Sequence, residues 1–203
     1  SGYFLSGILA RLRWNSLLKA LLVLLVLALT PFLALASPGE SAPGLKLELT
    51  PVDRNVSDTR VARLPALVVR AGESASPFLD PGPFTATWSG ELNLPLRERY
   101  RFHAEGNGRL RVSINGQVVL DSGDGGTSDW VRLQKGANVF QATYQSPPAG
   151  DAVVRLRGSA ADHPAESNPP TRWTHPAAAP ELGRDMSMRR GRQRFAERQC
   201  VRC

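Results

Sequence analysis

The central part of the chain alternates between apolar and polar residues with a period of two. Leu45, Leu47 and Leu49 alternate with polar neighbours, and the pattern returns several times further along the chain. The later apolar positions of this kind are Phe84, Ala86, Trp88, Leu92, Leu94, Leu96, Tyr100, Phe102, Ala104, Leu110, Val112, Ile114, Val153, Val154 and Leu156. Because successive side chains of a strand point to opposite faces, this pattern predicts half-buried β-strands.

Gly-rich turns separate the predicted strands. Asn115-Gly116 is the strongest hairpin signal, and residues 105–108 (EGNG) tolerate the positive φ that a hairpin connection needs. A further turn is predicted at residues 135–138. No helical periodicity lies between the strands, so the pattern predicts a mainly β fold over residues 45–158, an antiparallel β-sandwich or barrel of about eight or nine strands.

An apolar run from Ala20 to Ala36 follows three basic residues, Arg11, Arg13 and Lys19. Basic residues, an apolar stretch and small residues at its end are the parts of an export signal. The alternative is an uncleaved membrane anchor, since about 20 apolar residues span a bilayer. A core helix is disfavoured by the three cations. Residues 1–36 are therefore predicted to be a signal peptide or membrane anchor, and the rest to be exported to the periplasm or cell envelope.

The formal charge of +7 arises at the two ends of the chain. The N-terminal segment has three basic residues and no acidic one, and residues 184–202 hold seven Arg against Asp185 and Glu197. Residues 37–183 hold the remaining 15 basic and 16 acidic residues. This balance disfavours a basic, nucleic-acid-binding face on the central domain, and no nucleic-acid partner is predicted.

Four elements follow one another in the sequence FTATWSGELNLPLRERYRFHAEGNGRLRVSINGQVVLD: a Trp-x-Gly strand, a Tyr-x-Phe strand, a Gly turn and an apolar-Asn-Gly hairpin. They are Trp88 with Gly90, Tyr100 with Phe102, Gly108, and Ile114-Asn115-Gly116. In this order they resemble the protective-antigen-type sandwich domain, here called the PA-fourteen domain. Its members are often carbohydrate-binding, some through calcium held by adjacent aspartates. The resemblance covers roughly residues 45–158 and implies a polysaccharide or envelope component as partner.

Candidate ligand-binding residues lie in two Gly-rich loops. Where PA-fourteen members place paired Asp, this chain has Glu105 and Asn107, and a second loop contains Asp121 and Asp124. Calcium needs several converging oxygen atoms, and Gly123 breaks the Asp-x-Asp-x-Asp-Gly spacing. Turn formation, in which Asp and Asn cap their own backbone, explains these residues more simply than calcium binding. Calcium remains the alternative.

Large aromatic side chains usually serve packing, so Trp88, Trp130, Tyr100 and Phe102 are predicted to be core residues rather than sugar platforms. His103 falls outside the core parity and is predicted to lie at the surface. No Ser/His/Asp arrangement, pair of catalytic carboxylates or nucleotide-binding loop is present, so no enzyme active site is predicted.

Residues 159–183 are rich in Pro and Ala and have no periodicity, so they are predicted to be an interdomain linker, as are residues 37–44. His163 and His175 lie next to Pro in the longer linker and are predicted to be solvated. From Asp185 onward the pattern becomes helical.

Cys200 and Cys203 are the two cysteines of the chain and lie at its end. Four interpretations compete: a local disulfide, a thioredoxin-like redox pair, half of a zinc site, and the first part of a c-type haem motif, Cys-x-x-Cys-His. A redox pair needs its helix after the cysteines, whereas the helical pattern here precedes them. The haem motif is favoured, with the iron-ligating His expected at the next position.

The sequence GRQRFAERQCVRC resembles the opening helix of a small c-type cytochrome, since Gly191, Phe195, Cys200 and Cys203 match that family's spacing. The resemblance implies covalent haem c on both cysteines, Gly191 in helix packing and Phe195 at the haem edge. Residues 184–203 would then begin a truncated cytochrome domain. The function predicted is exported electron transfer to a redox partner protein. The alternative is an extracellular lectin-like carbohydrate-binding module with a structural cysteine pair.

Overall fold

A computed structural model describes residues 40–161 and 163–198. The predicted signal peptide or anchor, Cys200 and Cys203 lie outside the described residues. In chain order the strands are β1 (Ser41–Pro43), β2 (Leu45–Pro51), β3 (Asp58–Ala62), β4 (Ala66–Val69), β5 (Phe84–Leu94), β6 (Glu98–Gly106), β7 (Arg109–Ile114), β8 (Gln117–Gly123), β9 (Gly126–Thr127), β10 (Val131–Leu133), β11 (Gly136–Gln145), β12 (Ala152–Ala160) and β13 (Trp173–Pro176). A 3₁₀ helix (Pro170–Arg172) precedes β13, and α1 (Pro180–Glu197) follows it.

These strands form two antiparallel sheets. Sheet one has the order β1-β13-β5-β11-β7-β8, and β2 also pairs with β5 and with β3. Sheet two has the order β10-β6-β12-β4, with β9 beside β6. The prediction of a mainly β, antiparallel sandwich is confirmed. No described helix has the length and apolar character needed to cross a membrane.

The core lies between the two sheets and contains most of the alternating apolar positions. Leu96 is an exception, since it lies beyond the end of β5 and is 67% exposed, and Val153 is only partly buried. In β2 the burial alternates residue by residue, as the sequence predicted. The largest side chains with less than 2% exposure are Trp88, Trp173, Tyr144, Phe102 and Phe140. The rings of Phe140 and Trp173 pack with their centroids 4.7 Å apart. Because these inner positions fill the interior, the outward positions of each strand remain on the surface.

Of the three predicted turns, one is a hairpin and two connect different sheets. Asn115-Gly116 forms the predicted hairpin between β7 and β8, with φ of 50° and 81° as a tight hairpin turn requires. Residues 105–108, however, lead from β6 in sheet two to β7 in sheet one, and residues 135–138 likewise join β10 to β11 across the sandwich. The alternation is the same for a hairpin and for a crossing, so the sequence did not distinguish them.

The predicted linkers at residues 37–44 and 159–183 contain strands, which corrects the sequence interpretation. β13 pairs with β1 and with β5, and Trp173 is fully buried. His175 is also buried, with its Nδ1 3.0 Å from the carbonyl oxygen of Gly44. Strands of three or four residues, such as β1 and β13, have no alternation long enough to reveal them.

Tyr100 holds the intervening segment against sheet two. Its buried phenol donates a hydrogen bond to Asn168 Oδ1, and burial raises the pKa of Tyr100 to about 12. Gly158, which pairs with Phe102 on the neighbouring strand, leaves room for the ring, since a Cβ atom there would be 1.9 Å from the phenol oxygen. Trp130, which was predicted to be core, is instead partly exposed on the outer side of this sheet.

The helix α1 packs against the edge strand β3 and begins at Pro180, earlier than predicted. Asp58 of β3 is buried and accepts a hydrogen bond from Arg189. The backbone N–H of Thr59 donates to Asp185 Oδ2 at 2.7 Å. Gly191 and Phe195 are exposed, so the face they share makes no close packing with the described part of the sandwich.

Substitution of Gly90 tests the point where β2 and β13 meet along β5. A Cβ atom there would lie 2.3 Å from the carbonyl oxygen of Thr174 and 2.8 Å from Leu45 Cδ2. We expect Gly90→Ala to lower the free energy of unfolding by about 1–3 kcal/mol more than Gly82→Ala. Gly82 has a similar φ, 151° against 156°, but no atom within 4 Å of the added Cβ. Denaturant titration measures both, and equal losses would contradict the expectation.

Substitution of Arg189 tests the attachment of α1. Arg189→Met leaves the Asp58 carboxylate buried without its charged partner, so we expect a loss of about 3 kcal/mol in the free energy of unfolding. Arg190→Met is the matched control, because Arg190 is the next residue of the helix and is exposed. A thermal midpoint equally lowered in both variants would show that the Asp58 contact is not the cause.

Candidate functional site

Five loops gather at one end of the sandwich. Gln145 pairs in register with both Thr85 and Arg109, and Gly106 pairs with Val154. The ends of the strands in both sheets therefore lie together. The connecting loops are residues 52–57, 70–83, 107–108, 124–125 and 146–151. We call this region the loop end.

Asn107 fixes two of these loops to each other. Its Nδ2 donates a hydrogen bond to the carbonyl oxygen of Asp151 at 2.7 Å, and its Oδ1 accepts one from the N–H of Val153 at 2.9 Å. Its own backbone N–H donates to the carbonyl oxygen of Val153 at 2.9 Å. Both ends of the Asn107 amide are thus engaged within the loop end.

Asp124 joins the loop at residues 124–125 to Gly108 in a similar way. Its Oδ1 accepts a hydrogen bond from the N–H of Gly108 at 3.0 Å, and its own N–H donates to the carbonyl oxygen of Gly108 at 2.8 Å. Asp124 adopts a φ of 55°, which Asp tolerates better than most residues. This is the turn chemistry that the sequence favoured over calcium binding.

Glu105 and Asp121 lie on opposite outer faces of the sandwich. Glu105 accepts a hydrogen bond from Arg157 in sheet two. Asp121, in sheet one, accepts bonds from Arg109 Nε at 2.9 Å and Nη2 at 3.2 Å, and lies 3.4 Å from Arg111 Nε. The hydrogen bond from Arg109 lowers the pKa of the Asp121 carboxyl.

The four predicted ligand-binding residues therefore do not converge. Asn107 and Asp124 share the loop end, but Glu105 and Asp121 lie in strands of different sheets and pair with different arginines. Among residues 40–161 and 163–198, no three His, Cys, Asp or Glu side chains are grouped so that they could hold a metal ion. Ligand binding by these four residues stays a prediction.

An open cleft of about 760 Å³ lies at the loop end, within the size range of small-molecule sites, roughly 300–1,000 Å³. Apolar side chains, from Pro51, Val52 and Phe84, form part of its lining. Hydroxyl, amide and charged side chains form the rest, from Thr50, Asp53, Arg54, Asn55, Thr85, Gln145 and Ser146. Arg54 forms an ion pair with Asp80 beside the cleft. Sequence reasoning missed this cleft because its residues come from three separate stretches and form no motif.

The chain is thus an antiparallel β-sandwich with a polar cleft among the loops at one end, and solved structures share this fold. An anti-sigma factor domain-containing protein from Clostridium clariflavum superposes with a TM-score of 0.57 and 15% identity over 70% of this chain. The chain spans about half the length of that protein, 50%.

Two solved structures of PA14 domains, the family called PA-fourteen above, also have a similar fold. The PA14 domain of the MpAFP antifreeze protein has a TM-score of 0.55 and 14% identity, with 69% of this chain and 94% of that chain covered. The PA14 sugar-binding domain from an RTX adhesin has a TM-score of 0.54 and 16% identity, with 66% and 99% covered. At this identity the likeness concerns the fold, and at that level the resemblance to the PA-fourteen domain is confirmed. No protein-family model and no curated protein matches the sequence.

Asn107→Ala tests the support of the loop end. We expect a loss of about 1–3 kcal/mol in the free energy of unfolding, because the N–H of Val153 and the carbonyl oxygen of Asp151 lose their partner. Asn55→Ala is the matched control, since Asn55 is exposed at the same end. Denaturant titration compares the two, and a loss no larger than that of the control would show that the Asn107 bonds contribute little.

Proposed function

We propose that the described residues form a carbohydrate-binding module of an exported protein, and that the cleft at the loop end holds the sugar. The observation that supports this most directly is the open cleft, whose lining includes hydroxyl, amide and carboxylate groups beside apolar side chains. Sugars present many hydroxyl groups, each a donor and an acceptor, and side chains of these types match both roles.

The fold supports the same proposal. The PA14 domain from the RTX adhesin is a sugar-binding domain, and this chain covers nearly its whole length. Loops that are already fixed before binding lose little conformational entropy when a ligand arrives. The bonds of Asn107 and Asp124 hold the loops around the cleft in this way, so their role is to position the site rather than to contact the sugar.

Haem attachment remains a separate prediction. Cys200 and Cys203 lie outside the described residues, and the helix before them ends at Glu197. Covalent haem, electron transfer and a redox partner protein rest on the sequence resemblance alone. Haem absorbance that persists after denaturation, in protein exported from a haem-attaching host and expressed from the complete gene, would support them. Protein without haem absorbance would contradict all three predictions.

A glycan array tests the carbohydrate proposal. The full chain is applied with and without calcium, and we expect at least one glycan to bind. Asn55→Ala and Gln145→Ala each remove a polar group from the cleft and are expected to weaken that binding about tenfold, the effect of losing one or two hydrogen bonds. Gln117→Ala is the control, because Gln117 is exposed in the β7–β8 hairpin at the other end.

Two results would contradict the proposal. One is an array on which no glycan binds above background. The other is binding that both cleft variants leave unchanged. Glu105→Ala is included as well. Loss of calcium-dependent binding in that variant would indicate that the sugar binds at the residues predicted from the sequence resemblance and not in the cleft.

A further inference from the structure

The outward face of sheet two concentrates positive charge. Residues that alternate with the buried positions of β6, β10 and β12 point outward, and five of them are arginines. Together we call them the arginine face: Arg99, Arg101, Arg132, Arg155 and Arg157. Among the described strands of sheet two, Glu105 is the acidic residue that points the same way, and it is paired with Arg157.

The strand register arranges these arginines as a stripe. Arg132 pairs with Arg99 at one end, and Arg155 pairs with Glu105 at the other. Glu105 follows Arg99 by six residue steps along β6, which corresponds to about 20 Å at roughly 3.3 Å per step. The stripe is therefore long enough to contact an extended polymer at several successive units, whereas a small anion would use only one end of it.

Most of this charge is not neutralised within the protein. Arg99, Arg101, Arg132 and Arg155 form no ion pair with any residue in the described part of the chain. The outer face of sheet one differs, because Arg109 and Arg111 both lie against Asp121 there. Like charges on neighbouring strands repel one another. A stripe of them is therefore favoured where an anionic partner neutralises it.

Trp130 holds two of the guanidinium groups in place. The Cζ atom of Arg101 is 4.7 Å from the centre of the indole ring, and that of Arg99 is 5.6 Å away. Cation–π contacts of this kind orient the charge while leaving its donors available. The indole ring therefore serves to position the two guanidinium groups of this face.

His103 lies in the middle of the stripe and responds to its charge. Burial lowers the pKa of His103, and the charges of Arg101 and Arg157 lower it further, while Glu105 acts in the opposite direction. Its Nε2 is 2.8 Å from Ser159 Oγ and its Nδ1 is 3.2 Å from Thr127 Oγ1. Two cations therefore act on this position against one anion, in agreement with a positive surface.

We propose that the arginine face binds an acidic polysaccharide whose carboxylate groups pair with the arginines. The contact of Glu105 with Arg157 shows that a carboxylate is accommodated on this face, and a uronic acid would pair with the arginines left unpaired. Arginine suits this role because its planar guanidinium group binds a carboxylate through two parallel hydrogen bonds. The inference takes from the proposed function only that the partner is a glycan, and it concerns a different surface from the cleft.

Polygalacturonate binding to the full chain tests the inference, measured by affinity electrophoresis and isothermal titration calorimetry. Its fully methyl-esterified form is the matched ligand control, because it keeps the sugar backbone and removes the charge. We expect the acidic form to bind at least about tenfold more tightly, since several charge-assisted hydrogen bonds are lost on esterification. Binding should also weaken as salt is raised, because salt screens exposed charges.

Two double variants locate the surface. Arg99→Gln with Arg155→Gln removes one exposed charge from each end of the stripe, and we expect about tenfold weaker binding of polygalacturonate. Arg109→Gln with Arg111→Gln removes the same number of charges from sheet one, and we expect less than about a twofold change. Thermal midpoints of both variants verify that they are folded.

The outcomes separate this inference from the proposed function. Equal affinity for the esterified form, equal loss in the two double variants, or preference for single-stranded DNA or a sulfated glycan over polygalacturonate would overturn the inference. If neutral glycans bind through the cleft and polygalacturonate does not bind, the proposed function stands and the inference falls. If polygalacturonate binds through the arginine face and the cleft variants change no glycan's binding, the inference stands and the cleft assignment falls.

Discussion

Burial of alternate side chains between two sheets is the constraint on which the rest of this structure depends. Trp88, Phe102 and Phe140 fill the interior from strands of both sheets, and each commits its strand to one orientation. Once the inner positions are occupied, every second residue must face outward. The surface chemistry of the sandwich, including the arginine face, is therefore set by the residues that alternate with the buried ones along each strand.

The crossings between sheets determine where loops meet. Because residues 105–108 lead from sheet two to sheet one, the turn closes one end of the sandwich instead of extending a single sheet. Asn107 then bonds to the loop before β12, and Asp124 bonds to Gly108. The side chains of Asn107 and Asp124, in Gly-rich turns that the sequence suggested as ligand sites, thus bond to neighbouring loops at this end of the sandwich.

Charge shows the same dependence on tertiary structure. Residues 37–183 are nearly neutral in sum, which argued against a basic binding face. The fold places five arginines on one side of sheet two and pairs Asp121 with arginines on the outer face of sheet one. A balanced composition therefore coexists with a local positive stripe, because net charge contains no information about which strands become neighbours.

The sequence by itself predicted the fold class and several central strands, since the two-residue period of Leu45 to Leu49 and the turn at Asn115-Gly116 are local signals. Only the tertiary structure decided that Trp173 joins the core, because a four-residue strand gains its burial from β1 and β5, which are distant along the chain. It also separated Glu105 from Asp121 and gathered Asn55 and Gln145 around one cleft. These arrangements depend on long-range register, and no periodicity within one segment encodes which segment will lie beside it.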